Sequence, residues 1–249
     1  MTRDYGSLEA IAALMAAAEG GTAVFTGAGM STDSGLPDFR SANGVWSRLN
    51  PMETATESVM RNDYDRFFEF YKPRLEMMES AMPNEGHRIL ADWEARGFVS
   101  CVITQNVDGL HRAAGSRAVH ELHGTISKTR CMDCGQPDTN ENFIARSPCP
   151  RCGGRLRPDV VLFSENLPED TLESAWDAGE HARVYIVLGS SLQVSPANRL
   201  PAAARNAGAQ VVICNHDPTP LDGIASYSTN EGITSFLAKL DKLLPRVAG

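Results

Sequence analysis

Nothing in the 249 residues is apolar for long enough to cross a bilayer: no run reaches the roughly 20 consecutive apolar residues that a spanning helix needs. The one strongly apolar stretch near the start, Leu8 to Ala18, is short, contains Glu9 and lacks a basic leader with a cleavage site. No secretory signal is expected, and the chain reads as cytoplasmic. Positive charge is in deficit as well. Lysine and arginine number 23 against 31 aspartates and glutamates, a formal charge of −8. That balance removes nonspecific binding to nucleic acid or to an anionic membrane from the default expectations, and makes a cationic protein segment the more natural partner. No internal repeat of solenoid period and no low-complexity tail is found. Cysteine is sparse, six in all, yet four of the six fall between residues 131 and 152. The hydrophobic share of 42% and charged share of 22% are those of an ordinary globular protein, and the length allows one large core or one core with a smaller appendage.

What is present is a rhythm of short apolar runs ending in small or polar residues. Ala23-Val24-Phe25 leads to Gly27-Ala28-Gly29, and Val99 to Ile103 precedes Thr104-Gln105-Asn106. Val184 to Leu188 precedes Gly189-Ser190-Ser191, and Val211 to Cys214 precedes Asn215-His216-Asp217. Continuous apolar strands of this kind suit a parallel sheet covered on both faces. Helical stretches are expected at residues 7–19, with Ser7 as cap, at 170–181 and at 196–207, giving βαβ units. The fold class is therefore α/β, a Rossmann-like parallel sheet with its ligand crevice at the carboxyl ends of the strands. Two segments break the rhythm. Residues from about 45 to 93 read as amphipathic helices, and those from about 128 to 157 as loops holding the clustered cysteines, so together they are expected to form a smaller second lobe.

The stretch VFTGAGMSTDSGLPDFRS, Val24 to Ser41, begins like a nucleotide-binding loop but lacks the third glycine of a dinucleotide fingerprint and continues into Pro37-Asp38-Phe39-Arg40. Farther on, Cys131-Met132-Asp133-Cys134 and Cys149-Pro150-Arg151-Cys152 are separated by 14 residues, with Gly135, Gly153 and Gly154 placed to turn the two knuckles. Two such pairs can present four thiolates to one structural zinc, in a closed coordination that leaves no position for chemistry. The rival readings, a redox pair or disulfides, fit a reducing compartment poorly. Cys101 and Cys214 lie within apolar strands and read as core.

Between the second strand and the cysteines stand TQNVDGLHRAAG and VHELHGT. Gln105, Asn106 and Asp108 place amides and a carboxylate at a strand end, and His123 is a candidate base because imidazole exchanges protons near neutrality. Taken singly, each has a plainer reading: His123 as a turn or core residue, Asn106 to Asp108 as a helix cap. His87, His111, His120, His181 and His216 are weaker candidates.

In order, GAGMS, GLPDFR, TQNVDGLH, ELHG, the two C-x2-C pairs, RPDVVLF, GSSLQVSPA and NHDPTPLD resemble the sirtuin family, the NAD-dependent protein-lysine deacylases, along nearly the whole chain. The resemblance implies a Rossmann-like NAD-binding domain from residues 1–44, 99–127 and 158–249, and a small lobe of a helical module (45–98) and a zinc module (128–157). It also implies a cleft between them for NAD and an acylated lysine segment. In that reading Ala28, Gly29, Ser31, Thr32, Phe39 and Arg40 line the cofactor, Phe39 shielding the nicotinamide ribose, and Gln105 binds that ribose. Asn106, Val107 and Asp108 form the nicotinamide pocket. Gly189, Ser190 and Ser191 meet phosphate and ribose, Asn215 the adenosine ribose, and Asp217 and Ile233 the adenine side. The implied reaction is attack of the acyl oxygen on C1′ with loss of nicotinamide, after which His123 takes a proton from the ribose hydroxyls so that the 2′-oxygen can attack. The acyl group leaves on ADP-ribose.

The same resemblance implies an extended substrate backbone paired along Val160 to Glu165, with Val160 and Phe163 as contacts. Ser164 stands where many relatives have glycine, which bears on peptide geometry, and Ser190 where threonine is common. Tyr71 and Arg74 have the spacing by which the desuccinylase and demalonylase branch binds an acyl carboxylate, with small Ala55 widening the pocket. Three residues apart on a helix, the two share a face, although Pro73 is expected to disturb the helix between them. The plainer reading is a packed Tyr71 beside a solvated Arg74. Alternatives at the level of activity are a protein mono-ADP-ribosyltransferase and a non-catalytic NAD sensor; a monomer is the expected state.

Overall fold

The computed structural model describes residues 6–18, 21–39, 44–45 and 50–246. Ser7 caps α1 (Leu8–Ala16), accepting from the Ala10 N–H, and the helix buries Ile11, Ala12 and Met15 on one face. β1 (Thr22–Thr26) is buried at all five positions. After it come α2 (Glu57–Asn62), α3 (Tyr64–Ser80), α4 (Glu85–Ala95), β2 (Val99–Thr104), α5 (Leu110–Ala113) and β3 (Val119–Glu121). The chain then forms β4 (Gly124–Cys131), β5 (Pro137–Asp138), α6 (Asn140–Ile144) and β6 (Leu156–Val160). It finishes with α7 (Glu169–His181), β7 (Val184–Leu188), α8 (Leu200–Ala207), β8 (Gln210–Cys214), β9 (Tyr227–Thr229) and α9 (Ile233–Leu243).

Six of these strands make one parallel sheet in the order β3-β2-β1-β7-β8-β9. Counted among themselves, they run 3-2-1-4-5-6, the doubly wound order whose connections reverse direction between its first and fourth strands, here β1 and β7. Alternation decides which side each strand residue faces. Val24, Ile186, Leu188 and Val212 pack with α1, α4 and α9, whereas Phe25, Tyr185, Val187 and Ile213 pack with α7 and α8. Both faces are covered, which is why the strands read as unbroken apolar runs. The four expected strands are the sheet's four central ones. β3 and β9, three residues each at the edges, left too short a pattern to be read.

A second sheet, β5-β4-β6, is antiparallel and carries the cysteines. Phe67, Phe68, Tyr71 and Leu75 of α3 share one core with Ile126, Cys131, Phe143, Cys149 and Leu156, so helical module and cysteine module make a single lobe. The expected boundary of the helical module at residue 98 moves back to about 84: Leu90 and Trp93 of α4 lie fully buried in the large-sheet core beside α1 and α9. Pro73 does not interrupt α3, which continues through it for 17 residues. No helix among the described residues is long and apolar enough to cross a membrane.

Candidate active site

The reversal between β1 and β7 brings two glycine turns into contact. The Gly27 N–H donates to the Leu188 carbonyl at 3.0 Å and the Gly29 N–H to the Gly189 carbonyl at 2.9 Å. A Cβ on Gly29 would stand 2.7 Å from the Gly189 Cα, and one on Gly189, at φ +61°, would stand 2.6 Å from Gly29 and Met30 backbone. The glycines are thus required by each other's backbone. The glycine turn expected after β1 opens into a 3-10 segment, Ala28–Ser34, a tight turn held against β7. Thr32 lies exposed on it, its hydroxyl donating to the Gly29 carbonyl. Phe39 is half-buried, and Arg40 lies outside the described residues.

Ser31, 2% exposed, joins this turn to the loop after β2. Its hydroxyl donates to Asp108 Oδ2 at 2.7 Å and accepts from Asn106 Nδ2 at 3.1 Å. The same Asn106 nitrogen donates to the Gly27 carbonyl at 3.0 Å, which commits the amide's donor end and leaves its oxygen as acceptor. Asp108 also accepts the Leu110 N–H at 2.9 Å. Burial pushes its carboxyl pKa up, while the bonds from Leu110 and Ser31 pull the other way. The Val107 carbonyl accepts from Ile126, tying the loop to β4. Gln105 reaches across the sheet end, Oε1 accepting from Ser190 at 2.7 Å.

His123 follows Leu122 in the turn between β3 and β4, half-buried. Its Nδ1 lies 2.9 Å from the Gln105 carbonyl oxygen. A carbonyl only accepts, so Nδ1 carries the hydrogen and the neutral ring has its lone pair on Nε2, the tautomer of a general base. The His123 carbonyl in turn accepts the Val161 N–H at 2.8 Å, and Phe163 N–H donates to the Ala55 carbonyl at 2.9 Å. The base therefore stands at the seam where loop 105–108 meets segment 160–165, which the expected bounds gave to the large domain but whose Val160 and Leu162 pack in the small-lobe core.

Residue types alone did not single out a buried polar group beneath this loop. The Thr26 hydroxyl donates to Thr104 Oγ1 at 2.8 Å, so His111 Nε2, 2.9 Å away, is the donor to Thr26. Asn106 N–H donates to the same Thr104 oxygen at 3.0 Å. The His87 ring lies 4.7 Å from the His111 ring, and its Nδ1 accepts from the Asn84 N–H, completing the capping box of α4. Asn84 Nδ2 also donates to the Met30 carbonyl, anchoring α4 to the glycine turn. Burial lowers the two imidazoles to about 4 for His87 and about 3 for His111. The pair Asn84 and His87, three residues apart, is the one sequence signal of this arrangement.

Farther along the sheet, Asn215 follows β8, its side chain donating to the Asp217 carbonyl at 2.7 Å. Asp217 is exposed, Ile233 starts α9 and packs on the core, and Ser191 is half-buried beside Ser190. In the small lobe the sulfurs of Cys131, Cys134, Cys149 and Cys152 all lie within 4.8 Å of one another, with Cys131 to Cys152 at 3.5 Å and Cys134 to Cys149 at 3.7 Å. Those separations are far beyond a disulfide's roughly 2.05 Å, and match the roughly 3.8 Å edge of a tetrahedron with zinc–sulfur bonds of about 2.3 Å. Gly135 at φ +70° and Gly153 at φ +74° turn the knuckles, and a Cβ on Gly154 would strike Asp133 and the Cys131 sulfur. The donor set and geometry fit one structural zinc.

Ala55, Tyr71 and Val160 are buried in the small-lobe core, with Phe163 packed against it. Burial holds the Tyr71 hydroxyl well above its ordinary pKa. Arg74 stacks 3.5 Å over the Phe70 ring and donates to the Phe70 carbonyl at 2.5 Å. Burial lowers its guanidinium pKa, against a raising influence from Tyr71. Among the described residues it has no carboxylate partner.

A model of the Sir2 family matches residues 27–196, which hold both glycine turns, the loop 105–108, His123 and all four clustered cysteines. The chain belongs to the Sir2 family. Among Sir2-family relatives, NAD-dependent protein deacetylase 1 of Geobacillus kaustophilus is 51% identical over 205 residues, covering 82% of this chain and 85% of the relative. An NAD-dependent protein deacylase of Aeropyrum pernix is 42% identical over 88% of this chain and 91% of its own. A solved Sir2 complex with a p53 peptide and NAD+ superposes with a TM-score of 0.86 at 36% identity, covering 95% of this chain and 98% of that one.

Proposed function

We propose that this Sir2-family chain is an NAD-dependent protein-lysine deacylase that transfers the acyl group of a modified lysine to ADP-ribose. The observation that carries the reading is the His123 ring, fixed by the Gln105 carbonyl in the tautomer of a base at the seam between the lobes. NAD, when bound, supplies the ribose carbon that receives the acyl oxygen as nicotinamide departs. The glycine turns and Ser190 hold the diphosphate and ribose side, and Asn215 the adenosine side. Asn106 and Asp108, cross-linked through Ser31, line the pocket for departing nicotinamide, where a desolvated carboxylate accepts a carboxamide N–H2. His123 removes the ribose hydroxyl proton, help of the kind worth roughly 100- to 10,000-fold. An acylated lysine segment lies extended along residues 160–165. The named activities of the similar relatives, deacetylase and deacylase, support the reaction class.

The acyl preference extends to acids. Arg74, half-buried and without a carboxylate partner among the described residues, is a cation poised beside Tyr71. The test is an NAD-dependent release assay on matched acetyl-, succinyl- and malonyl-lysine peptides with labelled NAD. Label leaving as acyl-ADP-ribose supports a deacylase, and label kept on protein a transferase. In Arg74→Met the KM for succinyl-lysine is expected to rise strongly, by the equivalent of about 2–5 kcal/mol, with acetyl-lysine little changed. Equal losses on both peptides would reduce Arg74 to a packing role.

A further inference from the structure

Arg157 is a charged residue buried to 2% exposure, which demands an account. Its guanidinium makes a two-pronged pair with Glu165, Nη1 to Oε1 at 2.6 Å and Nη2 to Oε2 at 2.9 Å. Nη2 also donates to the Val160 carbonyl at 2.6 Å and Nε to the Pro158 carbonyl at 3.3 Å. The Glu165 carboxylate accepts in addition the Leu162 N–H at 2.8 Å. One ion pair thus grips the backbone of residue 160 from one side and of residue 162 from the other. The residue between them, Val161, donates its N–H to the carbonyl of His123. Two charges tie down the chain on either side of the Val161–His123 hydrogen bond that joins the substrate segment to the base.

A purely stabilising role explains this poorly. A buried ion pair is often matched or bettered by packed apolar residues, and Leu156, Val160 and Leu162, its neighbours along the chain, are buried in the apolar small-lobe core. What apolar residues cannot supply is direction: the forked donor and forked acceptor fix two backbone groups two residues apart. We infer that Arg157 and Glu165 are positioning residues that hold the acyl-lysine-binding segment 160–163 in register with His123. This rests on the deacylase reading above. The register matters because the lysine's acyl group reaches the reacting centre from a backbone docked on this segment, and a misplacement of about 1 Å in such a geometry costs about 100-fold in rate.

The decisive variant replaces both charges together, Arg157→Met with Glu165→Leu, so that no charge is left buried alone. Expected is a folded protein with one equivalent of zinc, a melting temperature close to wild type and ADP-ribose affinity within about twofold, but a kcat/KM for acyl-lysine peptide lowered about 100-fold. Full peptide turnover in that folded variant, or an equal loss of ADP-ribose affinity, overturns the proposal. If the double variant fails to fold, Arg157→Lys decides, since it keeps the charge and loses the fork: peptide kcat/KM down about 10-fold with ADP-ribose binding unchanged supports positioning, and unchanged turnover overturns it. Wild-type protein inactive on every acyl-lysine peptide would defeat the deacylase reading and the clamp's role with it. An active wild type with an equally active double variant defeats the clamp alone.

Discussion

Single residues in this chain are set by local conflicts with definite costs. Ser164 sits at φ +80°, in the left-handed region that suits glycine, and its hydroxyl donates to the Phe163 carbonyl. Ser164→Gly is expected to stabilise by about 0.5–1 kcal/mol, strain relief being partly offset by unfolded-state entropy; a lower melting temperature in the variant would refute the strain. His87 and His111 carry a second expectation. Burial depresses both pKa values, to about 4 and about 3, below the ordinary 6.5. Above pH 6.5 both states are neutral and the pair carries no proton-linked cost. As pH falls below 6.5 the unfolded chain takes up protons that the folded chain refuses, so stability declines by up to about 1.4 kcal/mol per pH unit for each imidazole until its folded value is passed. Melting temperature against pH should therefore fall from pH 6.5 toward 4, and less steeply in His87→Asn; identical slopes would mean that His87 titrates normally.

At the level of elements, the two glycine turns behave as one unit. Gly29→Ala places a methyl 2.7 Å from the Gly189 Cα, and because the obstacle is backbone the turns must part. Expected are a stability loss of about 1–3 kcal/mol and weakened ADP-ribose binding, read by denaturant midpoint and calorimetry. Gly179→Ala, inside α7, is the control, since its Cβ meets only ordinary contacts at 3.5 Å and beyond, from Tyr185, Ala204 and Leu200; there helix propensity favours alanine by about 1 kcal/mol. Equal effects at both positions would remove the case for close approach. The same scale shows what was hard to read. α4 carries the amphipathic pattern of a small-lobe helix, yet Trp93 and Leu90 turn it onto the large sheet, because a helix's apolar stripe states that it packs and not upon what.

For the whole molecule, the small-lobe core is separate from the two that cover the faces of the large sheet, which implies separable failure. Cys131 and Cys149 are members of the small-lobe core, so releasing a zinc held by the four sulfurs withdraws both metal bonds and packing from that lobe. The six-stranded sheet holds none of the four. Chelation, checked by metal analysis, is expected to abolish peptide deacylation and unfold the small lobe in a separate, earlier transition, while ADP-ribose binding to the large lobe persists within a few-fold. Peptide turnover undiminished in zinc-free protein would contradict that division.

The amino-acid sequence determined on its own whatever depends on periodicity and short spacing. Four central strands follow from runs buried on both faces, and the cysteine cluster from two C-x2-C pairs whose glycines turn the knuckles. The segments that meet at the sheet's carboxyl end follow from polar residues closing each strand. Only the tertiary structure decided what depends on partners distant along the chain. Ser31 meets Asp108 across 77 residues, Ser190 meets Gln105 across 85, and Thr26 meets His111 across 85. Such pairs leave no mark on either segment alone, because a hydroxyl or imidazole is chosen for a neighbour that the fold delivers. Strand order did the same for the glycines, turning a loop that reads as made for phosphate into one whose first requirement is the backbone of its twin.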